Sequence, residues 1–295
     1  MKINTNCMEC QLRKNLDLAR NVGTEAQLLP FARDLMLALA TGPEDMTAPC
    51  FTPIGNELFH RHFGSASDRY AEEKKQSNEF ALSVMDRVEQ WMTATADPVY
   101  AGLQAAVLGN YLDFSALHGQ VSMEKMASLL DEAYTVEIDR TTYGHFVEDC
   151  QKAANLLYIT DNAGEIVFDW LLARRLRQRF PALNITFCVR GGPALNDANM
   201  EDVRAIGLDR EFPVIDSGVS ISGFDPDRSG KTAQAALAAA DVVLSKGQGN
   251  VETLAGKGYP VYFAFLCKCS RFTDAFQCPA LTVQFRREQD LPELF

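Results

Sequence analysis

The sequence predicts an α/β protein, in which an all-helical N-terminal domain precedes a parallel, Rossmann-like sheet domain with three layers. Two observations predict this fold class. Residues from about 10 to about 150 show the apolar spacing of helices, with no clear alternating strand. After residue 155, short apolar segments alternate with helical segments, a spacing typical of parallel sheets with right-handed crossovers. We therefore predict a helical cap domain at residues 1–150 and an α/β domain at residues 151–295.

Composition and charge are typical of a soluble globular protein. The chain has 295 residues, of which 47% are hydrophobic and 23% charged, which is ample for a large core. The formal net charge of −11 argues against binding to nucleic acid or to anionic membranes, since both need a basic surface. No signal-peptide core is visible, and the apolar runs are far shorter than the ~20 residues of a membrane helix. We expect the eight cysteines to be free thiols and the protein to be cytoplasmic.

The N-terminal half shows a succession of helical patterns separated by helix breakers such as Gly42-Pro43 and Pro53. We predict helices around residues 12–22, 28–39, 68–91, 98–112, 123–134 and 143–157. Cys7 and Cys10 open this half as a Cys-x-x-Cys pair. A structural zinc site needs four ligands, which Cys267 and Cys269 or a histidine would have to complete. We interpret the pair as two thiols on one turn of an early helix.

The C-terminal half contains five apolar segments of strand length, at residues 156–160, 184–189, 212–216, 241–245 and 260–266. The segment after Gly164 has apolar residues on one helical face up to about residue 180. Further helices are predicted from about residue 196, at residues 231–240 and shortly after residue 250.

Polar side chains follow three of these predicted strands. Asp161 and Asn162 come directly after the first strand, the loop at residues 190–197 follows the second and ends at Asp197, and residues 245–252 follow the fourth. Because ligands bind at the carboxyl ends of parallel strands, we expect these loops to converge. Carboxylate and carboxamide oxygens suit Mg²⁺ or Mn²⁺, and a lysine with a glycine-rich backbone suits a phosphoryl group. The sequence therefore predicts a metal and phosphate site at this edge.

Each of these groups also has a purely structural interpretation. A lone aspartate before a helix, such as Asp161 or Asp197, is usually an N-cap, and Lys246-Gly247 could be an exposed turn. Only their occurrence at successive strand ends favours the functional interpretation.

Other motifs are excluded. The segment 229–232 has the tail of a P-loop, but the glycine required five residues before Gly230 is Asp225, so we predict only a helix start there. His60, His62, His118 and His145 do not cluster into a zinc site, and no Gly-x-Ser-x-Gly elbow is present.

The sequence Asp-Asn-Ala-Gly-Glu at residues 161–165, together with the segments 190–197 and 245–252, resembles a known family. It is similar to the domain-of-unknown-function family eighty-nine, the metal-dependent damage-control phosphatases. The similarity runs the whole length of the chain. Four further segments of the chain resemble the bacterial and archaeal branch of this family. They are Cys7-x-x-Cys10-Gln11, Asp68-x-Tyr70-x₃-Lys74-x₃-Asn78, Asp97-Pro98 and Gly109-Asn110-x-x-Asp113.

The resemblance implies a role for each matching residue. In the family, the divalent metal is held by residues that match Asp161, Asn162 and Asp197. Phosphate contacts are implied for Lys246, Gly247, Gln248, Gly249, Asn250 and Lys268. Residues that would support the ligands from behind are Glu165, Arg190, Asn196, Asn78, Asn110 and Asp113.

The expected function is a phosphatase that hydrolyses a small phosphorylated metabolite with Mg²⁺, Mn²⁺, Co²⁺ or Ni²⁺. The nucleophile is either a water or Asp161 itself, and only the second route forms an aspartyl-phosphate. Two alternatives stay open: a metal-stabilised small-ligand-binding protein and, by analogy with one family branch, a protein-carboxylate methyltransferase. Methyltransferases usually carry a glycine-rich loop after the first strand, whereas residues 161–164 contain one glycine and an acidic start.

Overall fold

A computed structural model describes residues 1–64, 68–110 and 136–293 of the chain. Asp113, His118 and the helix predicted at residues 123–134 lie outside the described residues.

The N-terminal half is helical where it is described, as the apolar spacing predicts. Its helices are α1 (Thr5–Arg20), α2 (Glu25–Thr41), α3 (Thr52–Phe63), α4 (Ala71–Ala94), α5 (Pro98–Gly109) and α6 (Arg140–Lys152). Side chains placed before helices accept from free backbone N–H groups: Asn4 from Cys7 N and Asp97 from Tyr100 N. No strand precedes β1 in the described ranges.

The sheet has six strands in the order β3-β2-β1-β4-β5-β6. These strands are β1 (Asn155–Ile159), β2 (Asn184–Val189), β3 (Val214–Asp216), β4 (Val242–Lys246), β5 (Val261–Leu266) and β6 (Val283–Arg287). The first five pair in parallel, which confirms the predicted fold class, and β6 pairs antiparallel with β5. Sequence analysis did not identify β6, because Gln284, Arg286 and Arg287 interrupt its apolar pattern.

Helices cover both faces of the sheet. They are α7 (Glu165–Arg179), α8 (Met200–Ile206), α9 (Lys231–Ala239), α10 (Gln248–Leu254) and α11 (Ser270–Phe276). Successive β1 side chains alternate between the two faces. Leu156 and Tyr158 join the core formed with α4, α5 and α7, whereas Leu157 and Ile159 join the core formed with α9, α10 and α11.

Helix α5 links the two halves of the molecule. Nearly all of its residues are buried, and it packs along α7. Helices α1, α2 and α3 form a separate cluster around Phe31, Leu35, Phe51 and Phe59. The division of the chain after residue 150 stays a prediction.

The starts of two predicted helices can be compared with the structure. The helix predicted from about residue 196 begins later, at Met200, because the preceding loop is held in extended pairs between Arg190 and Asn199 and between Asn162 and Asp197. The predicted helix start after Gly230 is confirmed, since α9 begins at Lys231. None of the helices in the described ranges is long and apolar enough to cross a membrane.

Candidate active site

The candidate site lies where the direction of strand succession reverses. Strands β1, β2 and β3 follow one another outward in one direction, and the chain then returns to place β4 on the other side of β1. Loops that leave the carboxyl ends of β1 and β4 diverge there and open a crevice, the usual ligand position in such sheets. Asp161 and Asn162 leave β1 at this point, and Gly247 leaves β4.

The loop after β2 is pinned against the loop after β1. Asn162 and Asp197 form an isolated antiparallel bridge. Ala163 N donates to Asn196 O over 2.9 Å, and Ala198 N donates to Asp161 O over 2.8 Å. The backbone therefore brings together the three predicted metal ligands, Asp161, Asn162 and Asp197, from two separate loops.

A glycine makes the turn from β1 into α7. Gly164 has φ +78°, and a Cβ there would lie 2.9 Å from Ser77 O of α4. Its N–H donates to Asn78 Oδ1 over 2.7 Å, and Asn78 Nδ2 donates to Asp202 Oδ1 over 2.9 Å. Asn78, expected to support the ligands from behind, thus holds the turn that carries Asp161 and Asn162.

Arg190 joins the two aspartates. Its side chain is 1% exposed, and its Nε lies 2.5 Å from Asp197 Oδ2 while Nη2 lies 3.4 Å from Asp161 Oδ1. Nη1 donates to Asn250 Oδ1 over 3.1 Å. Asn250 in turn donates to Thr160 O, so the guanidinium is fixed in place by both strand-end loops.

Two carboxamides, those of Asn110 and Asn162, connect Asp161 to Glu165. Asn110 Nδ2 donates to Asp161 Oδ2 over 2.9 Å and to Glu165 Oε2 over 2.7 Å. Asn162 Nδ2 donates to the same two oxygens, over 2.9 and 2.8 Å. The Asn162 Oδ1 accepts from Asn196 Nδ2 over 2.9 Å. The buried Asn110 Oδ1 has no hydrogen-bond partner in the described part of the chain.

Lys246 lies below the cavity rather than in it. Its ammonium is fully buried and donates to Glu165 Oε1 over 2.6 Å, to Asp169 Oδ1 over 2.7 Å and to Ala106 O over 2.8 Å. The phosphate contact expected of Lys246 does not match this position, because its ammonium donates to three protein oxygens and does not line the cavity.

The buried charges do not balance. Among the described residues, the four buried carboxylates of Asp161, Asp197, Glu165 and Asp169 face two buried cations, Arg190 and Lys246, and the half-buried Lys268, so full ionisation leaves a formal charge of −1. Burial, and then repulsion from Asp197 and Glu165, raises the pKa of Asp161 well above its ordinary value, against the opposing effect of Arg190 and Lys268. Burial also raises the pKa of Asp169 to about 7, although Lys246 opposes it. A divalent cation would offset this excess.

The ligand set fits such a cation. Asp161, Asn162 and Asp197 offer hard oxygen donors of the kind that Mg²⁺ and Mn²⁺ prefer. In the described ranges no group of three or more His, Cys, Asp and Glu side chains is arranged to hold a metal ion. The candidate set differs from such a group because one of its three members is a carboxamide.

A cavity of about 620 Å³ opens over the ligands. Of the residues predicted for the site, it is lined by Asp161, Asn162, Asn196, Asp197, Gln248, Gly249 and Lys268. The remaining predicted residues are outside its lining: Glu165, Arg190, Lys246, Gly247, Asn250, Asn78 and Asn110. Asp113 lies outside the described residues.

Helix α1 closes the cavity from the opposite side. Cys7 and Cys10 sit on its first turns, as predicted, and both line the cavity together with Cys269 and Arg271. Arg271 Nη1 lies 3.7 Å from Cys7 Sγ. The sequence alone did not indicate that the Cys-x-x-Cys pair faces the metal ligands, since no local pattern relates α1 to the sheet.

Sequence analysis missed part of the buried network. Asp169 accepts from Tyr158 Oη over 2.7 Å and pairs with Lys246. A signal was present, because Asp169 lies one helical turn after Glu165 within an otherwise apolar face. A carboxylate at such a position must be paired if the helix is buried.

The family assignment follows from comparison with known proteins. Residues 3–280 match the family model of the damage-control phosphatase ARMT1-like domain. The chain belongs to this family.

Individual relatives agree with the assignment. A damage-control phosphatase of Pyrococcus horikoshii is 27% identical over 285 residues, which is 95% of this chain and 96% of the relative. A damage-control phosphatase of Archaeoglobus fulgidus is 27% identical over 278 residues, 91% of this chain and 93% of that one. A crystal structure of a DUF89 family protein from Pyrococcus horikoshii superposes with a TM-score of 0.83 at 26% identity, covering 98% of this chain and 99% of the other.

Proposed function

We propose that the protein is a phosphomonoester hydrolase that uses a divalent metal ion to act on a small phosphorylated metabolite. The observation that supports this most strongly is the convergence of Asp161, Asn162 and Asp197 beneath one cavity, among buried carboxylates that outnumber the buried cations. Two relatives that match most of the chain are named damage-control phosphatases, which supports the same reaction class. The expected cytoplasmic location belongs to this proposal as well.

The metal would be held by Asp161, Asn162 and Asp197. Mg²⁺, Mn²⁺, Co²⁺ or Ni²⁺ at this position would polarise the phosphoryl group and make a bound water more acidic. Arg190 keeps the two aspartates together, and Asn110 orients Asp161 through Oδ2. These fixed partners limit the side-chain rearrangement that binding would require.

Lys268 and the backbone at Gly249 would contact the phosphoryl oxygens. Both residues line the cavity, and Lys268 is close enough to Asp161 to oppose the rise of its pKa. Gln248 holds the Lys268 backbone, because its Oε1 accepts from Lys268 N over 2.9 Å. A cation at this position would stabilise negative charge that develops on phosphoryl oxygens during transfer. Lys268 therefore takes the role that the sequence assigned jointly to Lys246 and Lys268.

Two nucleophiles fit the geometry. A water at the cavity floor would attack phosphorus directly, whereas attack by Asp161 would form an aspartyl-phosphate. Asp161 is 8% exposed and lines the cavity, so its carboxylate is within reach of a bound ester. Acid-quench trapping with a ³²P-labelled ester separates the routes, since only the second leaves a phosphorylated protein.

The test of the proposal is phosphate release from sugar phosphates, phosphopantetheine and p-nitrophenyl phosphate. Each ester is assayed with Mg²⁺, Mn²⁺, Co²⁺ or Ni²⁺ and with a chelator. We expect turnover that requires a metal ion. Asp161→Asn should lower this turnover by more than about a hundredfold, because replacing a metal ligand costs more activity than replacing a residue that only supports a ligand. Asp227→Asn is the control, since that exposed carboxylate pairs with Lys257 on the surface and does not line the cavity. Metal binding without turnover of any ester would indicate a binding protein instead.

A further inference from the structure

A second cavity, of about 380 Å³, lies next to the cavity of the candidate active site. Its walls come from α3, from residues that precede α4 and from the loop after β2. Leu195 lines both cavities, so they meet at this side chain. The neighbouring residues Asn196 and Asp197 belong to the candidate active site. A ligand bound in the candidate active site would have to pass Leu195 to reach the second cavity.

The backbone at Leu195 has an unusual conformation. Its φ of +56° lies in the left-handed region, which a residue with a large side chain rarely adopts. Such strain persists only where surrounding structure enforces it, and it is common at ligand-binding sites. Here the conformation places the Leu195 side chain at the junction of the two cavities, directly before two residues of the candidate active site.

Arg69 provides the second cavity with an incompletely paired cation. Its Nη2 donates to Asn56 Oδ1, and its Cζ stacks 4.2 Å from the centroid of the Phe59 ring. Nη1 is buried and has no hydrogen-bond partner within residues 1–64, 68–110 and 136–293. A buried donor of this kind is costly unless an acceptor arrives. The guanidinium of Arg69 is thus held in a fixed plane with an unused donor at Nη1, which has no accessible surface of its own and would meet an anion in the cavity only after a local shift.

The carboxylate of the preceding residue, Asp68, is bonded to other groups. Asp68 lines the same cavity, but its Oδ2 is 2.9 Å from Lys74 Nζ and its Oδ1 accepts from Tyr70 N. Lys74 also pairs with Asp202 over 2.7 Å. Burial lowers the pKa of Arg69, and attraction to Tyr70 and Asp68 only partly offsets this effect.

We propose that the second cavity binds an anionic group of the substrate, a carboxylate or a second phosphate, through the guanidinium of Arg69. A planar guanidinium pairs with either anion through two parallel N–H···O bonds, and the Phe59 ring keeps its plane fixed. The inference rests on the proposed phosphatase function of the neighbouring site. It names the substrate class: phosphate esters that carry a second anionic group at the end distant from the hydrolysed phosphate.

Two linear esters test the inference directly. 6-Phosphogluconate and sorbitol 6-phosphate share the same carbon chain and phosphate, and they differ only in a terminal carboxylate or hydroxymethyl group. We expect the wild type to have the higher kcat/KM for 6-phosphogluconate. Arg69→Gln should lower the ratio of the two kcat/KM values by about ten- to a hundredfold, the effect of losing a hydrogen-bonded charge. Arg69→Lys should retain part of the preference, because it keeps the charge but loses the planar fork.

Arg61→Gln provides the matched control. Arg61 lies on α3 like Asn56 and Phe59, but it is exposed and pairs with Glu57 outside the cavity. Its substitution should leave the ratio unchanged. A wild type without preference for 6-phosphogluconate, or an Arg69→Gln variant with the full preference, would overturn the inference.

Equilibrium binding of the same two esters in the presence of a chelator separates this inference from the proposed function. Tighter binding of 6-phosphogluconate that depends on Arg69, without hydrolysis of any ester when metal is added, would retain the anion site and reject the phosphatase. Hydrolysis with equal binding and equal kcat/KM for both esters would reject the anion site alone. If neither ester binds and no ester is hydrolysed, both the anion site and the phosphatase function would be contradicted.

Discussion

Gly247 shows how closely the backbone approaches the candidate metal ligands. This residue has φ +83°, and a Cβ there would lie 2.0 Å from Asp161 Oδ2. No such contact is tolerated in a folded protein, so a side chain at position 247 must displace either the carboxylate or the β4 loop. The position of Asp161 therefore depends on a glycine that itself donates no side-chain contact.

Replacing Gly247 by alanine should abolish phosphate release by moving Asp161. Gly258→Ala is the control, because Gly258 has φ +76° with nothing within 4 Å of its Cβ. Gly258→Ala should lose roughly 1 kcal/mol of stability from its positive φ. Gly247→Ala should lose more, because φ +83° with ψ 154° is essentially open to glycine alone and the added Cβ meets Asp161, and only this variant should lose activity. Urea unfolding and phosphate release measure the two effects. Activity in Gly247→Ala equal to that in Gly258→Ala would contradict this account of Asp161.

The positions of single residues could be predicted where a simple rule governs them. Asp161 and Asp197 converge because parallel strands deliver their carboxyl ends to one edge, which the sequence already indicates. Lys246 was assigned to phosphate from its glycine-rich loop and from a family motif, although its register in β4 directs the side chain elsewhere. It lies two residues after Leu244, so alternation directs both side chains toward the face covered by α5 and α7.

At the scale of secondary-structure elements, Lys246 connects one strand and two helices. It belongs to β4, it donates to Ala106 O in α5, and it pairs with Glu165 and Asp169 in α7. The pKa of Lys246 is raised, because the two carboxylates together outweigh the lowering effect of burial. Its charge is therefore retained inside the fold, where it offsets part of the acidic excess.

Lys246→Met should destabilise the protein by about 3–5 kcal/mol, since it leaves two buried carboxylates without their cation. Lys257→Met is the control, because the Lys257 pair with Asp227 is on the surface and contributes about 0–1 kcal/mol. Chemical unfolding followed by circular dichroism measures both. If Lys246 instead contacted phosphate, its substitution would raise KM and leave stability close to that of Lys257→Met.

The boundaries of strands and helices were predictable where burial produces an apolar sequence pattern. They were not predictable where backbone pairing with distant residues sets the boundary. Strands β1, β2 and β5 are continuous apolar segments, and their predicted limits agree with the structure within one residue. Strand β6 lies at the sheet edge with alternating polar residues, so its sequence lacks the signal of a buried strand. The start of α8 is set by bridges to residues distant in the sequence, which a local pattern does not reveal.

At the scale of the whole molecule, the helical half and the sheet build the two cavities together. Cys7 and Cys10 of α1 line the first cavity together with Asp161, and Arg69 lines the second together with Leu195. These pairs are remote in sequence and share no motif, so the sequence predicts the candidate metal ligands but not the other walls of the cavities. Substrate choice is expected to reside in those walls.

The buried acidic excess is proposed to bind one divalent cation at Asp161, Asn162 and Asp197. Calorimetric titration with Mn²⁺ tests this proposal most directly. Because the pKa of Asp161 is raised, a proton competes with the metal, and affinity should be higher at about pH 8 than at about pH 6. We predict a single site per chain that is lost in Asp197→Asn and retained in Asp227→Asn. Unchanged Mn²⁺ affinity in Asp197→Asn, or tighter binding at the lower pH, would contradict the account.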